Sequence, residues 1–490
     1  MQTHWNQHES PLAAASMMPR TFHNTWLQTG FILITALSLG CGQETPTQRE
    51  SKAPGPLSPA LPNAADAEQD ISPAIDIELN HQEPISKSDQ NLRTSDPPPS
   101  LEALQELVIE SLELGETDKA WSMIRQAARM DREDFDTRYL MARVLAERNR
   151  FTEAVKILDE LSGEDPQIQL PVWGQTAEWL TYDGKWSLAE ERYRKLIDAL
   201  PEVGLAHRKL AELRLRQGYR REACAIFQLL CESGNVEEFE LRQLLRIGRP
   251  FAGELASDEW TPVGLLGKAC HLFGENQYEA ALGLLEEAGS SEVRAIALRG
   301  RLLASLNQSE KLAQWNHDWV ADPVDDSGYW YAQGVNAQNT GEHSKAVDFF
   351  CECLLTDATA PEAYHRFSES LKQIGQSEAS QRATRRAKQL EETHEIGSLF
   401  TKDESRDPRK VAELCTLLDD LKRPLESLSW QAVAMVYNQQ SLGMTNENLT
   451  LQLKAINQKR MQIIEAGSQS ATEQFILCGI EHDPIIRRLP

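Results

Sequence analysis

No stretch of this 490-residue chain holds twenty apolar residues in a row, the length a membrane-spanning helix requires. The greasiest run, Trp26 to Gly40, has 15 residues and no charge. Basic residues are also short. Lys and Arg number 50 against 74 Asp and Glu, a formal charge of −24. Nucleic-acid binding needs clustered cations, so nucleic acid is excluded as a partner. An acidic surface of this kind chiefly confers solubility and does not lie flat on anionic lipid. The sequence has no CxxC and no Cys/His cluster with zinc spacing. It also lacks GxxxxGK[ST], a GxGxxG before a helix, GxSxG and HExxH. No metal, cofactor or catalytic residue is expected, and the chain reads as a non-enzyme.

What is present begins with that greasy run, "FILITALSLGCGQE" (Phe31 to Glu44). Its length suits the apolar core of a secretory signal. Arg20 supplies positive charge ahead of it. The first ten residues are polar and fit a signal poorly, which points to Met17 or Met18 as the start. Gly40 directly precedes Cys41, with Leu37, Ser38 and Leu39 leading in. This resembles a bacterial lipobox, although Ser38 stands where the strongest pattern has Leu. The resemblance implies that residues 1–40 are a lipoprotein signal peptide and that Cys41 carries the lipid. The alternative is an ordinary signal beside an unrelated cysteine. Gly42 follows Cys41, and nothing by resemblance marks inner-membrane retention. The expected location is therefore the periplasmic face of a bacterial envelope, at the outer membrane.

Residues 41–99 hold the lipidated cysteine and a linker. From 42 to 99 there are 10 of the 23 prolines and no Phe, Trp or Tyr. Such a composition cannot bury enough apolar surface to offset chain entropy, so a disordered tether is expected. As a random coil it would span roughly 40 Å. Ser100 follows Pro97, Pro98 and Pro99 and can cap a first helix.

Beyond it the chain repeats itself. In "VWGQTAEWLTYDGKWSLAEERYRKLIDALP" (Val172 to Pro201), Trp173, Ala177 and Leu180 share one helix face. Gly184 breaks that helix, and Ala189, Tyr193 and Leu196 share a face of the next. With Gly184 at position 15 the unit starts at Leu170. Units in the same register start at Leu101, Phe135 and Gly204, spaced 34, 35 and 34 residues. Small residues recur at position 8 (Val108, Ala142, Ala177, Ala211) and at position 20 (Ala120, Ala154, Ala189, Ala223). They let two helices approach closely while larger residues fill the gaps between them. This resembles the tetratricopeptide repeat, a helix-turn-helix unit of 34 residues. The fold class implied is all-α, a solenoid of helical hairpins preceded by the tether.

The organisation expected is four repeats over 100–235, degenerate helical repeats over 236–325, repeats seven and eight over 326–394, and a C-terminal helical region over 395–490. In the degenerate block, units are read from Pro262 and Val293. Lys268 occupies a core position of the first, and Leu312 replaces a small residue in the second. Units from Ser327 and Pro361 are clear again. The second helix of the last, "SQRATRRAKQLEE", is polar and basic, as a capping or poorly covered helix would be. Residues 396–406 read as a loop. Asp407 to Tyr437 reads as a helical pair with Pro424 in a first turn, and Asn446 to Gly467 as one more helix. The C-terminal part also resembles the repeat-rich front of planctomycete-type proteins that continue into a β-propeller. No propeller-like strands are read here, so that function is not carried over.

The remaining candidates have plain explanations. With Cys41 set aside, seven cysteines remain, most at positions where a helix buries a small residue, and they read as inert core thiols. Cys351 and Cys353 point to different helix faces. His394, among carboxylates, reads as a solvated histidine at a helix end. His4 and His8 precede the signal. Asp419-Asp420 and Glu286-Glu287 read as solvated faces, and Trp173 and Trp330 as packing residues.

In the tetratricopeptide family the first helix of each unit lines a concave groove through positions 2, 5, 9, 12 and 13. By that resemblance the groove residues are Tyr139, Arg143, Glu178, Tyr182, Arg208, Glu212 and Arg216, then Tyr331, Asn339, His365 and Lys372. Aromatic rings with both charge signs suit an extended peptide or protein segment. The function implied is a membrane-tethered scaffold that binds partner proteins or peptides. The alternative is an accessory or sensory subunit of a larger envelope enzyme or secretion complex. An all-α glycan-processing enzyme would need inward carboxylates around a closed cleft, and the repeat register argues against it.

Overall fold

The computed structural model describes residues 99–254, 261–318, 325–402, 407–440, 443–483 and 485. The expected signal peptide, Cys41 and the tether lie outside the described residues. The chain divides into two compact units, one ending at Gln167 and one beginning at Ile168. All regular elements among the described residues are helices.

In the N-terminal unit, α1 (Leu101–Glu113) pairs with α2 (Thr117–Met130), and α3 (Phe135–Glu147) pairs with α4 (Phe151–Glu164). Ser100 caps α1 by accepting from the Ala103 N–H at 3.2 Å, and Asp134 caps α3 through the Thr137 N–H at 2.8 Å. The two hairpins share a core of Leu104, Val108, Ala120, Ile124, Ala127 and Leu140. Gln105 locks them in register, its amide donating to Asp134 at 2.7 Å and to Thr137 at 3.0 Å.

The C-terminal unit continues the pattern through α5 (Gln169–Tyr182), α6 (Trp186–Ala199), α7 (Gly204–Gln217), α8 (Arg220–Ser233) and a short α9 (Glu238–Leu245). Next come α10 (Gly264–Gly274), α11 (Tyr278–Ala288), α12 (Val293–Ser305), α13 (Ser309–Asp318), α14 (Ser327–Asn339), α15 (His343–Thr356) and α16 (Pro361–Gln373). The unit ends with α17 (Ser377–Lys402), α18 (Pro408–Asp420), α19 (Pro424–Tyr437), α20 (Asn446–Glu465) and α21 (Glu473–Ile476). Pro361, Pro408 and Pro424 each open a helix, where the missing N–H is no loss.

Packing follows the small-residue rule in both units. Val108, Ala142, Ala177, Ala211, Ala120, Ala154, Ala189 and Ala223 are all 0% exposed, so none has room for a larger side chain. Each hairpin turn contains one residue with a left-handed backbone. It is Gly115, Gly184, Gly218, Gly341 or Gly375 in five hairpins, Asn149, Asn276 or Asn307 in three, and Lys422 between α18 and α19. Asparagine tolerates that conformation better than other non-glycine residues. Although α9 and the irregular turn after it interrupt the register, the same turn recurs beyond them in the units read from Pro262 and Val293. There Leu312 is 1% exposed, and the space is made at the partner helix. Gly300 has no Cβ, and the Trp315 ring fills the position one would take. Lys268 is exposed, and Leu266 and Ala269 fill the core in its place.

Helix α17 departs from expectation. It runs 26 residues to Lys402, through most of the stretch read as a loop. The reason is burial at both ends. Ala379, Ala383, Ala387 and Leu390 join one core with α10 to α16. Ile396 and Phe400 join a second core with α7 to α9, α18 and α19. Neither is it poorly covered. Arg382 donates to the Cys478 carbonyl at 2.9 Å, Arg386 lies 3.7 Å over the Phe475 ring, and Tyr364 on α16 donates to the Ile476 carbonyl at 3.1 Å. The C-terminal segment is thereby tied across α15 to α17, with His482 at 2.9 Å from Glu352 on α15.

His394 is likewise not solvated. It lies well inside α17, half-buried, with its Nε2 3.1 Å from the Leu245 carbonyl. Burial, with the positive charge of Arg246 nearby, pushes it down to about 3. The folded state holds it neutral, while in the unfolded chain it titrates near ~6.5. The unfolded state binds the extra proton between these values, so stability is lost as pH falls through that window. We expect His394→Gln to lose less stability than the wild type between pH 6.5 and 4, read from urea midpoints at each pH. Identical slopes would mean that His394 titrates normally. The junction of the two cores is testable too. Phe400→Ala should cost about 3–5 kcal/mol of stability in urea unfolding, the usual cost of truncating a buried aromatic. A loss within experimental error would show that α17 does not anchor the second core.

Candidate functional site

The first helices of successive hairpins in the C-terminal unit carry the expected groove residues. Glu178 on α5 faces Lys209 and Glu212 on α7. Burial raises the Glu178 carboxyl, Lys209 pulls it back and Glu212 pushes it up further. Lys209 sits 3.2 Å from Glu212. Burial works against the lysine's charge, but Glu212 and then Glu178 outweigh it and hold the ammonium above its usual range. Tyr182, one turn beyond Glu178, is 67% exposed. The Arg216 guanidinium lies 5.1 Å over the Trp186 ring, and its Nε donates to the Thr261 carbonyl at 3.0 Å. The structure thus brings Glu178, Tyr182, Glu212 and Arg216 onto one face and adds Lys209 to them.

Other expected residues are engaged elsewhere. Arg208 binds Glu240, Glu237 at 3.2 Å and the Asn235 carbonyl at 2.6 Å, tying α7 to the start of α9. Asn339 donates to Ser309 at 3.2 Å, and His365 lies 2.8 Å from Glu391. Lys372 is exposed at the end of α16. Tyr331 is not on an open face at all. It is 5% exposed, packed into the core with the Arg301 guanidinium 3.4 Å over its ring. In the N-terminal unit, Tyr139 and Arg143 are half-buried on α3, and Arg143 Nη1 is buried with no hydrogen-bond partner. Cys41 lies outside the described residues. The seven described cysteines are unpaired, and burial raises every thiol, Cys224, Cys231 and Cys270 to about 12. They are poor nucleophiles at neutral pH.

A second feature lies inside the C-terminal unit. A cavity of about 100 Å³ is lined by Arg220, Arg221, Arg246, Arg249, Arg294 and Arg301, with Asp326, Asp357, Glu362 and His394. Its walls come from α8, the turn after α9, α10, α12, and the starts of α14 and α16. Four of the arginines have carboxylates. Arg220 meets Glu254 at 2.7 Å and Arg221 meets Asp325 at 2.7 Å, while Arg294 pairs with Glu222 and Arg301 with Glu362. Burial opposes ionisation of Glu362, but Arg301 and Arg246 outweigh it and hold the carboxyl below its usual range. Arg249 instead donates to the Phe273 carbonyl at 3.0 Å and to Asn276. The Arg246 guanidinium lies over the Phe251 ring, 5.7 Å from its centroid, with no carboxylate within ion-pair distance among the described residues. Burial and the like charge of Arg249 push it down to about 10.

The groove positions of the clear repeats do not include these arginines. The units read from Pro262 and Val293 put Cys270 at position 9, then Arg294 at 2 and Arg301 at 9. Arg246 and Arg249 lie in the irregular turn, where no register points to them.

The tetratricopeptide repeat family model matches residues 111–173. No curated protein matches the chain. Among solved structures, a tetratricopeptide repeat protein from Parabacteroides merdae is similar at 12% identity over 55% of this chain and 98% of that one, with a TM-score of 0.27. The APC/C hetero-tetramer Cut9–Hcn1 is similar at 14% identity over 76% and 87%, with a TM-score of 0.25. Naa15/Naa10 bound to HypK-THB is similar at 12% identity over 74% and 58%, with a TM-score of 0.24. The matched residues cover the second helix of the first hairpin and all of the second, and the same buried positions and left-handed turn recur in the hairpins that follow. The chain contains tetratricopeptide repeats, matched by the family model over residues 111–173.

Proposed function

We propose that the protein is a scaffold, lipid-tethered at the periplasmic face of a bacterial outer membrane, that binds partner proteins through the first-helix face of α5 and α7. The observation that carries this reading is the exposed Tyr182 ring beside Glu178, Lys209, Glu212 and Arg216. An aromatic anchor ringed by charges of both signs suits an extended polypeptide, whose backbone and side chains offer both donors and acceptors. The reading involves no catalytic residue, cofactor or nucleic acid. Each hairpin places its face by packing alone, which suits a surface for recognition.

The binding face is tested with a photo-crosslinking amino acid at position 182 in intact cells, followed by mass spectrometry. We expect discrete protein adducts that are absent when the same group is placed at Leu451, a residue 64% exposed on α20. Adducts of the same identity from both positions would overturn the reading. Against the partner so identified, Tyr182→Ala should weaken binding by about tenfold, as loss of an interface aromatic does.

The tether is tested separately. Labelled palmitate should enter the wild-type protein and be lost in Cys41→Ser. Label retained in that variant would rule out lipidation at this cysteine. A single acyl chain holds a protein at a membrane only marginally, whereas several hold it firmly.

A further inference from the structure

We propose that the arginine-lined cavity of the C-terminal unit binds a small oxyanion, a carboxylate or a phosphate, gripped by Arg246 and Arg249. The proposal does not rest on the scaffold reading, because none of Glu178, Tyr182, Lys209, Glu212 and Arg216 lines the cavity.

The charge arrangement is the first argument. Four of the lining arginines are met by carboxylates, and these two are not. Arg249 is satisfied only by neutral acceptors, the Phe273 carbonyl and Asn276. The Arg246 guanidinium has no hydrogen bond to protein among the described residues. A desolvated cation is costly unless an anion is paired with it. The two adjacent guanidinium groups present planar forks of donors, which match the paired oxygens of a carboxylate or phosphate.

Geometry is the second. The turn that bears both arginines is pressed against the start of α16. The Ile247 N–H donates to Thr359 at 2.9 Å, and a Cβ at Gly248 would run into the Asp357 carboxylate. Arg220 donates from Nε to the Arg246 carbonyl at 3.0 Å, holding the same turn from the α8 side. The backbone beneath the two guanidiniums is thus fixed before any ligand arrives, which lowers the ordering cost of binding.

The carboxyls in the cavity do not supply the missing charge. Asp326 caps α14 through the N–H groups of Gly328 at 2.8 Å and Tyr329 at 3.1 Å. Asp357 accepts from the Thr359 N–H at 2.9 Å and its hydroxyl at 2.5 Å. Neither forms an ion pair with Arg246 or Arg249. Glu362 is ion-paired with Arg301 and acts on Arg246 only from beyond ion-pair distance. The ligand therefore brings its own negative charge, and a cavity of about 100 Å³ takes a compact group.

The test uses the full chain and two probes, inorganic phosphate and malonate, each titrated by calorimetry and thermal melting against sodium chloride of equal ionic strength. We expect saturable binding and a rising melting midpoint with at least one probe and not with chloride. Phosphate alone assigns a phosphoryl ligand, and malonate alone a carboxylate. In Arg246→Gln the apparent Kd should rise by about tenfold or more, the worth of a charge-assisted hydrogen bond. The same variant should melt higher than the wild type without ligand, because an uncompensated cation has gone. A purely structural Arg246 would give the opposite shift. Arg148→Gln, outside the cavity and paired with the exposed Asp118, should leave probe binding unchanged. The proposal is overturned if neither probe binds saturably, or if Arg246→Gln and Arg249→Gln bind the probes as the wild type does.

Discussion

Two antiparallel helices joined by three residues can lie against each other only if one of those residues turns left-handed. The rest of this structure depends on that constraint. A normal L-residue resists positive φ, so the position falls to glycine or asparagine in every hairpin but α18–α19, where Lys422 takes it. Once the turn is made, the helices come close enough that positions 8 and 20 admit small side chains, or a larger one such as Leu312 only where the facing position is glycine. Gly300 and Gly334 carry this to its limit, each giving up a Cβ to an aromatic ring from the facing helix. The hairpin so formed still exposes an apolar face, and stacking follows from the need to bury it.

Within the C-terminal unit the stack does not simply continue. Helix α17 is twice the length of its neighbour α16, and its two halves enter two different cores. The second of these cores brings α19 against α8 and α9, so a late helix returns to early ones. The irregular turn after α9 is caught inside that closure. Its arginines face a cavity whose opposite wall comes from α12, α14 and α16. The same packing that supports α17 thus confines positive charge in a small space, and it holds His394 neutral beside Arg246.

Much of this was legible in the sequence. Repeat starts read at Leu101, Phe135, Gly204, Val293, Ser327 and Pro361 coincide with the first residues of α1, α3, α7, α12, α14 and α16. Small-residue spacing and turn glycines are local signals, and hairpins are local structures. The register faded where Lys268 took a core position and Leu312 replaced a small residue, although the left-handed turn there, at Asn276 and Asn307, is the same. What could not be read was tertiary. A polar, basic run such as "SQRATRRAKQLEE" gives no sign that its alanines meet a core or that Arg382 and Arg386 hold residues almost a hundred positions away. Tyr331 occupied a groove position by register, yet Arg301 covers it. Arg246 belongs to no repeat, and its surroundings exist only after the chain closes.

The charge balance of the chain bears on how such a cavity would work. At −24 overall, the protein repels small anions at long range and does not steer them inward. Selection must therefore come from contact geometry inside the cavity. Mobile ions screen charges there less than on the surface. An anion site in an acidic protein is consequently slow to fill and specific once filled, and its affinity depends on a few fixed donors. By contrast, the α5–α7 face is open, carries both signs of charge, and can meet a partner without any net attraction. The two features call for different chemistry, and they use different residues of the same unit to supply it.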